Sequence, residues 1–144
     1  MSDESVFFDT NILVYANDVS AGEKQVVARR LISESLRTGT GTVSAQVLSE
    51  FWVTVTRKLP VPLDRDLAER QLAFFSAFKV IAIDLGLVLT AVKIQHRQGI
   101  SYWDALIVAA ARAADCRLLY SEDMQDGVDF DGIRVSNPFA NSVA

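Results

Sequence analysis

The stretch VFFDTNILVYA, Val6 to Ala16, sets a single carboxylate between two apolar runs near the start of the chain. Val6, Phe7 and Phe8 read as a short buried strand, and Asp9-Thr10-Asn11 marks where it breaks into a helix or turn. All three polar side chains hydrogen-bond orphan backbone N–H groups, so a cap between strand and helix is the plain reading of Asp9. A charge held there also loses hydration, at a cost on the order of several kcal/mol unless something pairs with it. The rest of the chain must say what that partner is.

Beyond the first stretch, strand and helix patterns alternate. EKQVVARRLISESLRTG (23–39) has helical periodicity ended by Gly39, and TGTVS (40–44) is a short strand. Ser44 is placed to cap AQVLSEFWVTVTRKL (45–59), which stops before Pro60 and Pro62. Asp64 caps a further helix expected to run to about Phe78. KVIAI (79–83) is a strand, Leu85 to Gln98 a helix broken at Gly99, YWDALIVAAARAA (102–114) a helix, CRLLYS (116–121) a strand and GIRVSNPF (132–139) a last edge strand. Such alternation implies one parallel sheet covered on both faces. In open sheets of this kind, sites form outside the carboxyl ends of the strands, where Asp9 and the pair Glu122-Asp123 fall.

The 144 residues, half of them hydrophobic, are expected to form one domain spanning 1–144 with a sizeable core. The opening MSDES has neither the basic nor the apolar region of a signal peptide, and the longest apolar run, VIAIDLGLVLTAV (80–92), is short and interrupted by Asp84 and Gly86. A soluble, cytoplasmic protein with no membrane partner is expected. One cysteine, Cys116, allows no internal disulfide, and no Cys/His cluster is spaced for zinc. The single histidine, His96, stands near a helix end, where capping or solvent exposure is its ordinary use, so histidine-based nucleophilic schemes have little to work with. Net charge is −4 and the isoelectric point about 4.9, the wrong sign for nucleic-acid binding by bulk electrostatics alone. A divalent cation held by clustered acids would reverse that sign locally.

Two further acids sit in apolar helices. On the wheel of residues 45–56, Val47, Leu48, Phe51, Trp52 and Val55 form one apolar arc, with Glu50 just beyond its Val47 edge. Asp104 opens a helix that is apolar nearly all round until Arg112, the pattern of a buried element. Ser101, three residues earlier, is placed for a capping box, and the helix N-terminus favours a negative charge by only about 0.3–1 kcal/mol, less than a buried ion loses on desolvation. Four carboxylates at separate element ends, Asp9, Glu50, Asp104 and Asp123, would repel and raise one another's pKa unless a cation held them ionised. Oxygen-only ligands favour a hard metal such as magnesium or manganese, which is suited to orienting phosphate and activating water.

At these residues the chain resembles the PIN-domain ribonucleases, most nearly the VapC-type toxins of bacterial toxin–antitoxin pairs. The resemblance is carried by FFDTNILVYA (7–16), VSAQVLSEFWVTVTRK (43–58), ISYWDALIVAAA (100–111), LLYSEDMQDG (118–127) and IRVSNPF (133–139), in that order and spacing. It implies a three-layer α/β/α sandwich with a central parallel sheet of four or five strands. Asp9 and Asp104 would be the principal Mg2+ ligands (Mn2+ as an alternative), with Glu50 and Asp123 completing the pocket. Asn11 would orient the first acid, and Ser121 would be the small hydroxyl before the last acidic pair. Many relatives have threonine, a variable residue and aspartate where this chain has Ser121, Glu122 and Asp123; register favours Asp123, with Glu122 or Asp126 as substitutes.

The implied reaction is endonucleolytic hydrolysis of RNA, leaving a 5′-phosphate and a 3′-hydroxyl. Arg29, Arg30, Arg57, Lys58, Lys93 and Arg97 are candidate backbone contacts, and Tyr102, Trp103 and Trp52 candidates for base stacking, with core packing the commoner use of Trp52. The resemblance also implies a cognate VapB-type antitoxin, for which Val26, Val27 and Leu31 offer apolar contacts, and a homodimer. Two rival readings are a non-catalytic PIN-fold binding module and a receiver-like phosphoacceptor domain. The second needs an acidic pair after the first strand and a lysine near the last, and the chain has neither.

Overall fold

The computed structural model describes residues 4–140. The elements run β1 (Val6–Phe8), α1 (Thr10–Ala16), α2 (Glu23–Thr38), β2 (Gly41–Ser44), α3 (Ala45–Val53), α4 (Arg65–Phe75), β3 (Lys79–Ile81), α5 (Leu85–Gln98), α6 (Tyr102–Ala113), β4 (Leu118–Tyr120), β5 (Asp129–Phe130) and β6 (Ile133–Ser136). The sheet order is β3-β2-β1-β4-β6-β5. Five strands are parallel, and β5 is antiparallel to β6. Helices α1 to α4 form one contacting group and α5 with α6 another, giving the expected α/β sandwich.

The residues of each element explain its limits. Ser44 accepts from the Val47 N–H at 3.2 Å, Asp64 from Leu67 at 2.9 Å and Ser101 from Asp104 at 3.1 Å, each satisfying a helix N-terminus. Gly39 and Gly99 end α2 and α5 in the left-handed conformation. Phe7 and Phe8 are both fully buried, as a strand covered on two faces requires. Helix α6 is buried from Ala105 through Ala111, which accounts for its unbroken apolar run. Cys116 is a buried free thiol beside β4, and His96 is exposed.

Three expectations need correction. Strand β6 is not an edge strand: it lies between β4 and β5. The hairpin that adds β5 turns on Asp131 and Gly132, with φ of 54° and 98°, the positive pair that an Asp-Gly hairpin turn requires. The helix expected to run continuously to Leu59 leaves α-geometry at Thr54, and Thr54–Lys58 form a π-helical turn. Helix α4 stops at Phe75 because Phe78 turns inward, its ring 5.6 Å from that of Phe8 and 6.3 Å from that of Phe75.

That inward turn makes Gly41 obligatory. A Cβ on Gly41 would lie 2.5 Å from two ring carbons of the buried Phe78, so one of the two must shift. Gly41→Ala is therefore expected to cost about 1–3 kcal/mol of stability through overpacking. A urea midpoint equal to that of the parent would contradict this packing.

Candidate active site at the switch of the sheet

From β1 the chain builds outward through β2 to β3, then returns to lay β4 on the other side of β1. The crevice outside the carboxyl ends of β1 and β4 is thus a topological switch point, the usual location of a site in an open α/β sheet. Phe8 is in register with Tyr120, so Asp9 and Ser121 are the first residues beyond the paired ends. The Asp9 N–H donates to the Tyr120 carbonyl at 2.9 Å, extending the pairing to the lip of the crevice.

Asp9 caps the helix, as its sequence context implied, and is held from a second side by Ser121. It is the N-cap of α1, with Oδ1 accepting from the Thr10 N–H at 2.7 Å. Its Oδ2 accepts from Ser121 Oγ, also at 2.7 Å, in a fully internal bond. Ser121 Oγ in turn accepts from the Met124 N–H at 3.2 Å, which fixes the hydroxyl. Burial pushes the Asp9 carboxyl up to about 6; the bonds from Ser121 and Thr10 act against this, and the charges of Asp123 and Glu50 add to it.

The loop after β4 distributes its acids distinctly. Asp123 faces α1, its Oδ2 accepting from Asn11 Nδ2 at 3.1 Å. Glu122 points elsewhere: Tyr15 donates its hydroxyl to Oε1, and Lys24 Nζ pairs with Oε2 at 2.6 Å. Asp126 is occupied in the chain turn, accepting from the Asn137 N–H at 2.8 Å. Of the three acids in this loop, Asp123 is the one directed to the Asp9 side. Asn11 reaches Asp123 rather than Asp9, so the residue it orients is the last acid of the group.

Glu50, on α3, is exposed, and Asp104, in the first turn of α6, is half-buried. Desolvation raises the Glu50 carboxyl, a hydrogen bond from Gln46 opposes that, and the charges of Asp104 and Asp123 reinforce it. Burial likewise raises Asp104, against the lowering effect of Ser101 and with the Asp123 charge adding. Asp123 and Glu50 thus lie within electrostatic range of each other and of both Asp9 and Asp104, linking the four acids into one group. Among the described residues, no three His, Cys, Asp or Glu side chains are gathered closely enough to form a ready-made metal cage. Mutual repulsion favours such spreading. The donor set is nonetheless one a hard divalent cation fits: every candidate is a carboxylate, and raised pKa values mark negative charge that lacks full compensation.

The candidate basic residues separate. Arg29 Nε donates to the Ala16 carbonyl at 2.8 Å, and Arg97 pairs with Asp131 at 3.0 Å. Arg30, Arg57, Lys58 and Lys93 are exposed, and Lys58 is near enough to Glu50 to lower its pKa. Trp52 is partly buried against the core, whereas Trp103 is 65 % exposed. Among the proposed apolar contacts only Val26 is exposed; Val27 and Leu31 pack against the core.

The PIN domain family model matches residues 6–130. The chain belongs to the PIN domain family. Solved structures agree on the fold. A toxin–antitoxin complex from Klebsiella pneumoniae superposes with a TM-score of 0.70 at 20 % identity, covering 93 % of this chain and 98 % of that one. VapC20 of Mycobacterium tuberculosis, described as a sarcin-ricin loop cleaving toxin, gives 0.67 at 21 % identity over 83 % and 90 % of the two chains. VapBC2 of Rickettsia felis, bound to a DNA fragment from its promoter, gives 0.65 at 18 % identity over 92 % and 97 %. No curated protein matches the sequence. No helix among the described residues of this PIN domain is long and apolar enough to cross a membrane.

Proposed function

We propose that this PIN domain is a divalent-metal-dependent endoribonuclease acting as the toxin of a toxin–antitoxin pair. The observation that carries the reading is the placing of Asp9, Asp123, Glu50 and Asp104 about the switch point of the sheet, where Asp123, Glu50 and Asp104 each raise the pKa of at least one other acid of the group. Family membership and a fold shared with structures described as toxins support it.

Asp9 and Asp104 would hold Mg2+ or Mn2+, with Glu50 and Asp123 completing the oxygen set. A cation bound there supplies charge neutralisation at a phosphate and acidification of a water. The protein's own share is preorganisation. Ser121 and Thr10 fix the Asp9 carboxylate, Asn11 fixes Asp123, and Ser101 fixes the first turn of α6 that carries Asp104. Exposed Lys58 and Arg57 would take backbone phosphate. RNA cleavage by the purified chain should vanish in EDTA and return with added Mg2+ or Mn2+. Cleavage that persists in EDTA would exclude the metal-dependent reaction.

Asp123 and Glu122, adjacent in the β4 loop, give a sharper comparison. Asp123→Asn is expected to lower kcat by about 10²-fold or more, as loss of a preorganised charge does. Glu122→Gln should leave kcat within a few-fold, because its carboxylate is engaged by Tyr15 and Lys24. Steady-state kinetics on one RNA substrate measures both. The reverse ranking would move the site to Glu122.

For the antitoxin, a groove between α2 and α4, lined by Val19, Ile32, Leu63, Leu67 and Phe74, offers apolar contacts to an amphipathic segment. Leu85, Leu89 and Val92 form an exposed stripe on α5 suited to a second copy of the chain. Growth arrest on expression should be relieved by co-expressing the adjacent small open reading frame. Arrest unrelieved by any neighbouring gene would remove the antitoxin and leave the nuclease.

A further inference from the structure

Next to the acids lies an open cavity of about 510 Å³ lined by Gln46, Ser49, Glu50, Ile83 and Trp103. It shares Glu50 with the acidic group, so whatever occupies it adjoins the candidate active site. Trp103 is 65 % exposed and Ile83 is 42 % exposed, a large apolar surface to leave facing water. The indole is nonetheless positioned: Tyr102 packs edge-on against it at 5.1 Å and 76°, and Gln46 Nε2 donates to the Trp103 carbonyl at 3.2 Å. Gln46 itself is only 6 % exposed, and its Oε1 finds no hydrogen-bond partner among the described residues.

We propose that Trp103, Ile83 and Gln46 form a seat for one unstacked base of single-stranded RNA, flanking the phosphate held at the acids. This rests on the nuclease reading for its location and deepens it by naming a specificity element. An exposed aromatic face beside an apolar wall takes a base in the way single-strand binders do, by stacking. The lining also selects. The exposed Glu50 carboxylate supplies acceptor oxygens to the cavity, and Ser49 Oγ spends its proton on the Ala45 carbonyl at 2.8 Å. Cytosine offers its N4 amine to such acceptors, whereas uracil sets a carbonyl oxygen against them. The seat therefore prefers cytosine to uracil.

The test uses the full chain carrying Trp52→Phe, so that Trp103 is its sole indole, on an Asp9→Asn background. Oligo(C) RNA should quench the fluorescence and bind about tenfold more tightly than to the same protein carrying Trp103→Ala, the size of one base–aromatic stack. Trp103→Phe should recover most of that affinity in an anisotropy assay with labelled oligo(C). Oligo(U) should bind several-fold more weakly than oligo(C). Equal binding with and without the indole, binding without quenching, or equal affinity for the two oligonucleotides would overturn the seat. Cleavage is read separately on the chain with Asp9 intact. Quenching with base preference but no cleavage in Mg2+ or Mn2+ retains the seat and removes the nuclease. Cleavage unaffected by Trp103→Ala does the reverse.

Discussion

Asp104→Asn should leave a folded protein whose RNA cleavage is reduced by at least ~10²–10³-fold. The substitution is isosteric, and the bond that caps α6, from the Asp104 backbone N–H to Ser101 Oγ, does not use the carboxylate. What disappears is a negative charge in the first turn of α6, worth about 0.3–1 kcal/mol against the helix dipole. Relief of repulsion from Asp123 and Glu50 offsets part of that. Circular dichroism and the urea midpoint should therefore remain close to those of the parent while activity is lost. If cleavage survives in the folded variant, the Asp104 carboxylate is no part of the catalytic group.

Asp9→Asn should remove activity as well, yet make the metal-free protein more stable at neutral pH. The folded-state pKa of Asp9 is raised from 3.8 to about 6, with burial as the first cause. Below pH ~4 the carboxyl is protonated in both folded and unfolded chains, and burying it carries no ionic penalty. As pH rises through about 6, the folded protein must hold a desolvated carboxylate, and stability is lost across that window. The shift corresponds to roughly 3 kcal/mol at full ionisation. Asparagine avoids the charge but has one acceptor oxygen for the two donors, Thr10 N–H and Ser121 Oγ, that Asp9 serves. A net gain of about 1–2 kcal/mol above pH 7, shrinking to nothing below pH 4, is the expected difference in chelator. Added Mg2+ should then stabilise the parent and not the variant. Urea titrations of both proteins from pH 4 to 8 measure it. A gap that is constant with pH, or of opposite sign, would contradict the buried, uncompensated state of Asp9.

Much of this was readable in the chain because the signals are local. Ser44, Asp64 and Ser101 stand where helices begin, Gly39 and Gly99 where they end, and the apolar run of α6 announces burial. The position of Asp9 at a strand end followed from three apolar residues and a cap. The Asp131-Gly132 hairpin went unread, although an Asp-Gly pair between apolar residues signals such a turn, because its first strand is too short to show alternation. What local pattern does not encode is long-range pairing. The bond from Ser121 to Asp9 and that from Asn11 to Asp123 each join residues 112 apart, and both depend on β4 returning beside β1. The same holds for the division between Glu122 and Asp123. Adjacent acids in a loop look alike in sequence, and only the placement of Tyr15 and Lys24 turns one of them away.

The most direct test maps RNA 5′ and 3′ ends after brief induction of the chain, side by side with Asp104→Asn. The expected result is a discrete set of new ends, 5′-phosphate and 3′-hydroxyl, present with the parent and absent with the variant. Identical ends in both samples, or ends carrying a 2′,3′-cyclic phosphate, would contradict hydrolysis at an acidic metal pocket.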